Sequence, residues 1–288
     1  MDASAVMAGY DGSDASEAAV RWAAREAGAR GVPLIVLHAF TAPIGGFADG
    51  YISSVGADLV EGMRASAVKA VADLAARVKD DHPEVDIRQE ILVTSPSAAL
   101  VDASRRAALL VVGSRGLGGF RGLILGSVGV QTAAHAHCPT VVVRGAPAAS
   151  ADSVVVGIDG SAVGESAVEF AFEYASRHDL RLIAVHAWDI APVDVLATTA
   201  TSPVASLQEL SEAEQRLSSE VMAGFRDRYP DVPAEEHLVK GPTARSILDA
   251  SSNAALIVVG SRGRGEFSGA LLGSVSQGVL HRATVPVA

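Results

Sequence analysis

Several residue types are scarce in this chain of 288 residues, and each scarcity excludes a class of protein. A single cysteine, Cys138, rules out an intrachain disulfide and a thiolate metal cluster. The 23 Lys and Arg are outnumbered by 33 Asp and Glu, and a net charge of −10 argues against nucleic acid or an anionic membrane as a general partner. No apolar run approaches the roughly 18 residues of a membrane helix, and no signal peptide is recognisable at the N-terminus. We therefore expect a cytoplasmic protein.

Aromatic residues are also few, at 5%, whereas hydrophobic residues as a whole make up 49% and are mostly Ala, Val and Leu. Small aliphatic side chains of this kind are typical of helices packed on a parallel sheet. The acidic balance does not exclude a phosphate ligand, because a local group of backbone amides can bind phosphate on an acidic protein.

The chain contains the same pattern twice. VMAGYDGSD from Val6 returns as VVVGIDGSA from Val154, and LLVVGSRG from Leu109 returns as LIVVGSRG from Leu256. The interval between the two copies of each segment is far longer than the roughly 20–50 residues of solenoid repeats, so the pattern indicates a duplicated domain. We predict domains at 1–146 and 152–288, with the small, polar, Pro-containing segment at 147–151 as their linker.

Each half alternates apolar runs with helical patterns, which predicts two tandem α/β domains of Rossmann type. Each domain is expected to be a five-stranded parallel sheet with helices on both faces. In the first half we expect strands at 5–10, 34–40, 87–93, 109–113 and 140–143. Asp14 and Glu17 are spaced as a capping box, and a helix through Ala29 should follow. The second half ends at VPVA, so its fifth strand is almost missing from the sequence.

A glycine-rich motif follows the fourth strand in both halves. Gly113-x-x-Gly116 precedes nine residues and then Gly126-Ser127, and the second half repeats this spacing from Gly260. Glycine permits close backbone approach and positive φ, and the following helix N-terminus attracts phosphate. The spacing differs from the kinase-type P-loop, and the position differs from the Rossmann fingerprint. We expect Gly113→Ala and Gly260→Ala to weaken phosphate binding while the fold survives.

Other candidates lie near the same edge of the sheet. Asp11 and Asp159 end the first strand of each half and could accept ribose hydroxyls or hold magnesium near phosphates, or could simply cap the next helix. Arg115 and Arg262 could pair with phosphate or face solvent. Arg264 has no basic counterpart in the first half, so stronger phosphate binding is expected at the second site.

Together these motifs resemble the universal stress protein family in its tandem, ATP-binding form, over nearly the whole chain. The resemblance implies an adenine nucleotide alpha-hydrolase-like fold, ATP with magnesium as cofactors, and adenine recognition by main-chain atoms of the residue after a strand-ending histidine. The site residues expected in the first domain are Gly9, Asp11, Ala39, Gly113, Arg115, Gly116, Gly126, Ser127 and Val128. Those expected in the second are Gly157, Asp159, Ala187, Gly260, Arg262, Gly263, Gly273, Ser274 and Val275.

The expected function is a nucleotide-dependent regulator of stress response or growth with an unidentified protein partner. Single-copy relatives pair with themselves, so the two halves are expected to form a pseudo-dimer, or the chain a homodimer. The alternative is a slow ATPase or another nucleotide-processing enzyme of the same fold. Efficient catalysis is not expected, because no Lys lies in the glycine-rich loop and no motif of the related nucleotide-activating enzymes is found. A phosphorylated receiver domain and a flavin-binding protein are further alternatives. His38 and His186 are interpreted as structural histidines, and Cys138 as a packing residue.

Overall fold

The computed structural model describes residues 5–42, 54–116, 126–159, 161–188, 219, 222–262 and 272–288. The chain divides into two compact units, Met1–Arg144 and Gly145–Ala288. We describe each unit by itself.

The first unit alternates strands and helices along the chain, as the hydrophobic pattern predicts. Its elements are β1 (Ala5–Gly9), α1 (Asp14–Arg30), β2 (Leu34–Phe40), α2 (Ser54–Asp81), β3 (Ile87–Val93), α3 (Pro96–Ala103), β4 (Ala107–Gly113), α4 (Ser127–His135) and β5 (Thr140–Val143). The strands form one sheet in the order β3-β2-β1-β4-β5, and every adjacent pair is parallel. This confirms the predicted five-stranded parallel sheet.

Helix α1 starts differently from the sequence prediction. Ser13 is the N-cap, and its hydroxyl accepts a hydrogen bond from the Ser16 amide at 3.2 Å. The predicted capping pair Asp14 and Glu17 is wrong, because both residues lie within the first helical turn, where their charge suits the helix dipole. The helix ends at Gly31, whose left-handed φ of 64° is one that glycine adopts without strain.

The core of the first unit lies around the two central strands. Val6, Met7 and Ala8 of β1 are fully buried, as are Leu109 and Leu110 of β4. Helices cover both faces of a parallel sheet, so central strands have no polar face, which explains their uninterrupted apolar runs.

The second unit repeats this arrangement with a shorter edge. Its elements are β6 (Ser153–Ile158), α5 (Ala162–Arg177), β7 (Arg181–Trp188), β8 (Ala234–Lys240), α6 (Thr243–Ala250), β9 (Ala254–Val258) and α7 (Ser274–Arg282), and residues 222–228 are also helical. The four strands are parallel in the order β8-β7-β6-β9. At the place that β5 takes in the first unit, Val287 makes a single parallel bridge to Ile257. The expected fifth strand is thus reduced to a bridge.

The strand order creates a crevice at the same place in both units. The chain moves outward from β1 to β2 on one side and from β4 to β5 on the other, so the connections diverge at the carboxyl ends of β1 and β4. Open α/β sheets bind ligands at such a switch point. The corresponding strands of the second unit are β6 and β9. Within the described part of the chain, no helix is long and apolar enough to cross a bilayer.

Candidate nucleotide-binding clefts

A cavity of about 370 Å³ opens at the carboxyl ends of β1 and β4. This volume lies in the roughly 300–1,000 Å³ range of small-molecule sites. All nine residues expected in the first domain line it, together with seven others. The lining consists of Gly9, Tyr10, Asp11, Ser16, Leu37, Ala39, Pro96, Leu100, Val112, Gly113, Arg115, Gly116, Gly126, Ser127, Val128 and Gly129.

Asp11 holds the turn before α1 and also faces the glycine-rich loop. One carboxylate oxygen, Oδ1, accepts hydrogen bonds from the amide and hydroxyl of Ser13, at 3.0 and 2.6 Å, in a turn that leads into α1. The other, Oδ2, lies so close to Gly116 that a Cβ on this glycine would overlap it. Asp11 therefore holds the turn and also presents a carboxylate oxygen to the start of the glycine-rich loop.

Close approach, and not backbone conformation, is what Gly113 and Gly116 of the motif provide. Among the described glycines, positive φ occurs at Gly12, Gly31 and Gly241, none of which belongs to the motif. A Cβ on Gly113 would lie 2.7 Å from the backbone carbonyl carbon and oxygen of Ala15. Gly113 thus lets α1 pack on the end of β4, so Gly113→Ala is expected to cost stability as well as binding.

Helix α4 begins at the cleft with its first amides available for a ligand. Its N-cap is Gly126, and no side chain caps the helix there. The first amides of a helix have no intrahelical acceptor, and the dipole makes this end positive. The amide of Gly126 donates to the carbonyl of Ser114 at 2.9 Å, and this bond joins the two ends of the glycine-rich loop. We call the place where these two ends meet the neck of the loop.

Positive charge collects at the same end of the cleft. Arg115 is exposed and lines the cavity. Arg144 directly follows β5, and its pKa is lowered first by burial and then by the charge of Arg115. Two neighbouring guanidinium groups favour an anion between or beside them. Sequence reasoning missed Arg144, because only the pairing of β4 with β5 brings it near the motif.

An apolar wall forms the rest of the first cleft, and it was also missed. Leu37 comes from β2, Pro96 and Leu100 from α3, and Val112 from β4. Leu37 lies two residues before Ala39 and so shares its face of the strand, and Leu100 lies one helical turn after Pro96. These spacings were available as a signal, but apolar residues in strands and helices usually belong to the core.

The second unit contains a smaller cleft, of about 210 Å³, at the equivalent position. Eight of the nine residues expected there line it, and Gly263 lies outside the described residues, as does Arg264. The lining consists of Gly157, Ile158, Asp159, Gly164, Ala187, Thr243, Ile247, Val259, Gly260, Arg262, Gly273, Ser274, Val275 and Ser276. Asp159 Oδ1 accepts from the amide and hydroxyl of Ser161, as Asp11 does from Ser13. Helix α7 also starts uncapped, at Gly273.

The residues interpreted as structural lie away from the first cleft. His38 borders a separate open groove between β2 and α2, and its ring is tilted against those of Tyr10 and Phe40. Ala39, its neighbour on the opposite face, lines the cleft. His186 is 3% exposed and is absent from the lining of the second cleft. Burial raises the pKa of the Cys138 thiol to about 11, so it is a poor nucleophile at neutral pH.

A metal could be held here only with help from a ligand. Among the described residues, no group of three or more His, Cys, Asp or Glu side chains could bind a metal ion. Magnesium, however, is commonly held by one or two carboxylates together with substrate phosphates and water. A single carboxylate in each cleft, Asp11 or Asp159, fits that arrangement and does not fit a resident metal.

The two parallel sheets, each with a cleft at its switch point, define a tandem α/β protein, and comparison with known proteins identifies its family. The universal stress protein family matches residues 4–144 and 151–288, so the chain belongs to this family as a tandem of two such domains. A universal stress protein of Mycolicibacterium smegmatis is 37% identical over 98% of this chain and 95% of its own length. One from Mycobacterium tuberculosis is 37% identical over 98% and 95%.

A solved structure supports the fold over the same extent. A universal stress protein from Archaeoglobus fulgidus superposes with a TM-score of 0.67, at 21% identity, over 99% of this chain and 95% of that one. Together with the family match, this shows the adenine nucleotide alpha-hydrolase-like fold that the sequence motifs suggested.

Proposed function

We propose that this protein is an ATP-binding universal stress protein that regulates stress response or growth, with one adenine nucleotide bound in each domain. The observation that carries the proposal is the pairing, in one cavity, of an uncapped helix N-terminus with an apolar slot. A nucleotide needs both, because its phosphates seek amides and its base seeks an apolar surface. The same pairing recurs in the second domain.

Each part of the nucleotide has a matching part of the first cleft. The slot formed by Leu37, Leu100 and Val112 suits the adenine ring, with the main chain at Ala39 beside it. Asp11 suits the ribose hydroxyls or a magnesium ion bound to the phosphates. The phosphates would meet the first amides of α4 and the side chain of Arg115. In the second cleft Ile247, Ala187, Asp159 and Arg262 take the corresponding places.

We propose a regulator and not an efficient enzyme. Fast phosphoryl transfer needs metal ligands, a positioned nucleophile and cations at the γ-phosphate. Among the described residues, each cleft has a single carboxylate. His38 is unsuited as a nucleophile because it faces a different groove, and Cys138 because its thiol has a high pKa. Turnover should be far below the roughly 1–100 per second of kinases. A phosphate-release assay in the kinase range would favour the ATPase alternative.

Calorimetric titration of the full chain with ATP and magnesium tests the proposal, and Gly126→Ala is the informative variant. Alanine fits the ligand-free protein at this position, since φ is −72° and the nearest atom to the new Cβ, Arg115 Cα, is 3.7 Å away. Its methyl group would point between the loop and the start of α4, where a phosphate must pass. We expect affinity at the first site to fall roughly tenfold or more, an effect of about 1.4 kcal/mol.

Gly273→Ala is the corresponding variant of the second domain, with Arg262 Cα 3.5 Å from the new Cβ. Gly62→Ala and Gly224→Ala are the matched controls, one in each unit. Both glycines lie in helices, and a Cβ there meets nothing within 4 Å. The controls should bind as the original chain does. Absence of binding by the original chain, or equal affinity of all four variants, would contradict the proposal.

The partner that reads the bound state, the pairing of the two domains and the cytoplasmic location stay predictions from the sequence. Release of an adenine nucleotide from the denatured protein, purified without added ligand, would identify the natural occupant directly. Release of a flavin, with absorbance near 450 nm, would instead support the flavin-binding alternative.

A further inference from the structure

The two clefts use equivalent residues, yet their volumes differ. The first has about 370 Å³ and the second about 210 Å³. Sites that enclose a ligand of drug or nucleotide size usually offer about 300 Å³ or more, so only the first reaches that size in the described structure. The described strands and helices around the clefts correspond, and the described linings differ in particular side chains that can account for the smaller volume.

The first such difference lies on the helix that covers the base slot. Leu100 on α3 corresponds to Ile247 on α6, and each faces the glycine near the end of the first strand of its sheet. A Cβ built on Gly9 would be 3.1 Å from Leu100 Cδ2, whereas one built on Gly157 would be 2.7 Å from Ile247 Cδ1. Ile247 therefore comes closer to the floor of its slot.

Ile247 is also less able to move aside. A β-branched side chain in a helix is held in one χ1 rotamer, whereas leucine branches one carbon further out and keeps more freedom. Ile247 is fully buried. The slot of the second cleft is thus both narrower and stiffer than that of the first.

The second difference lies at the neck of the glycine-rich loop. Both clefts have the same backbone bond, from Gly126 to Ser114 or from Gly273 to Ser261, at 2.9 Å. In the second cleft the Ser276 hydroxyl also lies 3.2 Å from the Ser261 carbonyl oxygen and 2.9 Å from that of Gly273.

Gln277, the residue after Ser276, adds another side-chain hydrogen bond at the second neck, because its Nε2 donates to the Leu272 carbonyl at 2.9 Å. The first cleft has Gly129 and Val130 at these two positions, and neither side chain can donate. Side chains therefore hold the second neck together, whereas the first relies on its backbone.

We propose that the two clefts are not equivalent, and that Ile247 and Ser276 make the second one bind the whole adenine nucleotide more weakly, so that the first cleft fills first. This inference rests on the proposed function. Leucine and isoleucine have the same atoms, so the exchange moves one methyl group towards the floor of the slot. A carbon of that size in an apolar pocket is worth roughly 10–200-fold in affinity, which is the range we expect between the two sites. The protein would then respond to nucleotide over two separate concentration ranges.

Reciprocal substitutions in the full chain, titrated with ATP and magnesium by calorimetry, test this. Ile247→Leu with Ser276→Gly gives the second cleft the residues of the first and should tighten the weaker step about tenfold or more. Leu100→Ile should weaken the tighter step and leave the other unchanged. Ile183→Leu is the matched control, because it makes the same exchange at a buried position of β7 outside the cleft lining and should change neither step.

A second ligand separates the base slot from the loop. Inorganic tripolyphosphate has no base, so Ile247→Leu alone should improve ATP binding and leave tripolyphosphate binding unchanged. Two equal steps in the original chain, or a weaker step that Ile247→Leu does not tighten in a variant with an unchanged melting temperature, would overturn the inference. If the original chain shows only one measurable binding step, the variant with both Ile247→Leu and Ser276→Gly must show a second. Absence of any ATP binding would instead refute the proposed function.

Discussion

Replacing Gly113 with alanine should destabilise the first domain, even in the absence of any ligand. The new Cβ would lie 2.7 Å from the carbonyl carbon and oxygen of Ala15 and 2.9 Å from the amide nitrogen of Ser16. Ordinary contacts between carbon atoms are about 3.5–4.0 Å, so β4 and α1 must separate by about 1 Å. The obstacle is backbone, and no change of rotamer can relieve it.

The cost can be bounded from the surroundings. Helix α1 packs through Ala19, Ala23 and Ala27, all fully buried, so a shift of the helix disturbs its whole inner face. Overpacking of this kind costs about 1–3 kcal/mol. For a domain of this size, each kcal/mol lowers the melting temperature by roughly 3–4 °C, which gives a decrease of about 3–12 °C.

Thermal unfolding of the full chain measures this effect. Trp22 lies on α1 and is 4% exposed, so its fluorescence reports on the disturbed helix when Trp188 is replaced by phenylalanine. Gly126→Ala is the comparison, since its Cβ has room and costs only a helix-cap preference of about 1 kcal/mol or less. Equal melting temperatures for Gly113→Ala and the original chain would refute the close-packing explanation of this glycine.

Three further predictions concern charge, ligand and thiol. Hydrogen bonds from Arg21 and then Arg77 lower the pKa of Glu17, so Glu17→Gln should cost up to about 1 kcal/mol at neutral pH. The pKa of Glu17 in the folded protein lies below its ordinary value. The stability lost by Glu17→Gln should therefore shrink as the pH falls from the ordinary pKa through the folded one, and a difference in unfolding free energy between variant and original that persists at about pH 3 would contradict this. ATP at one hundred times its dissociation constant should add about 2.7 kcal/mol to the stability of the domain that it fills, seen as a higher melting temperature that the nucleotide-free protein lacks. Cys138, with a pKa of about 11, should react with iodoacetamide near neutral pH much more slowly in the folded protein than in urea, and equal rates would contradict the protection of this thiol by burial.

The sequence by itself determined the order and type of the elements and pointed to the position of the candidate site. The bounds expected for β2, β3 and β5 agree with the structure, because apolar runs between turn residues carry the strand signal locally. The repeat of the glycine motif, at the same spacing after the fourth strand, predicts both candidate sites at the carboxyl edge of a parallel sheet.

The start of α1 shows where local reasoning fails. Ser13, Asp14 and Ser16 all suit a helix N-terminus, and the sequence does not say which of them becomes the cap. Asp11 accepts hydrogen bonds from Ser13 and so orients this residue for the role. The N-cap is selected by this contact within the turn, which residue preferences alone do not predict.

Only the tertiary structure decided what the motif residues touch. It assigned Gly113 to the packing of α1 on β4, brought Arg144 near Arg115 through strand pairing, and placed Ile247 and Ser276 in the lining of the second cleft. Each of these effects depends on atoms that are far apart in the chain and meet only when the sheet and its helices assemble. Spacing along a sequence shows which residues can reach a cleft, whereas the room inside it is set by the side chains that arrive from other elements.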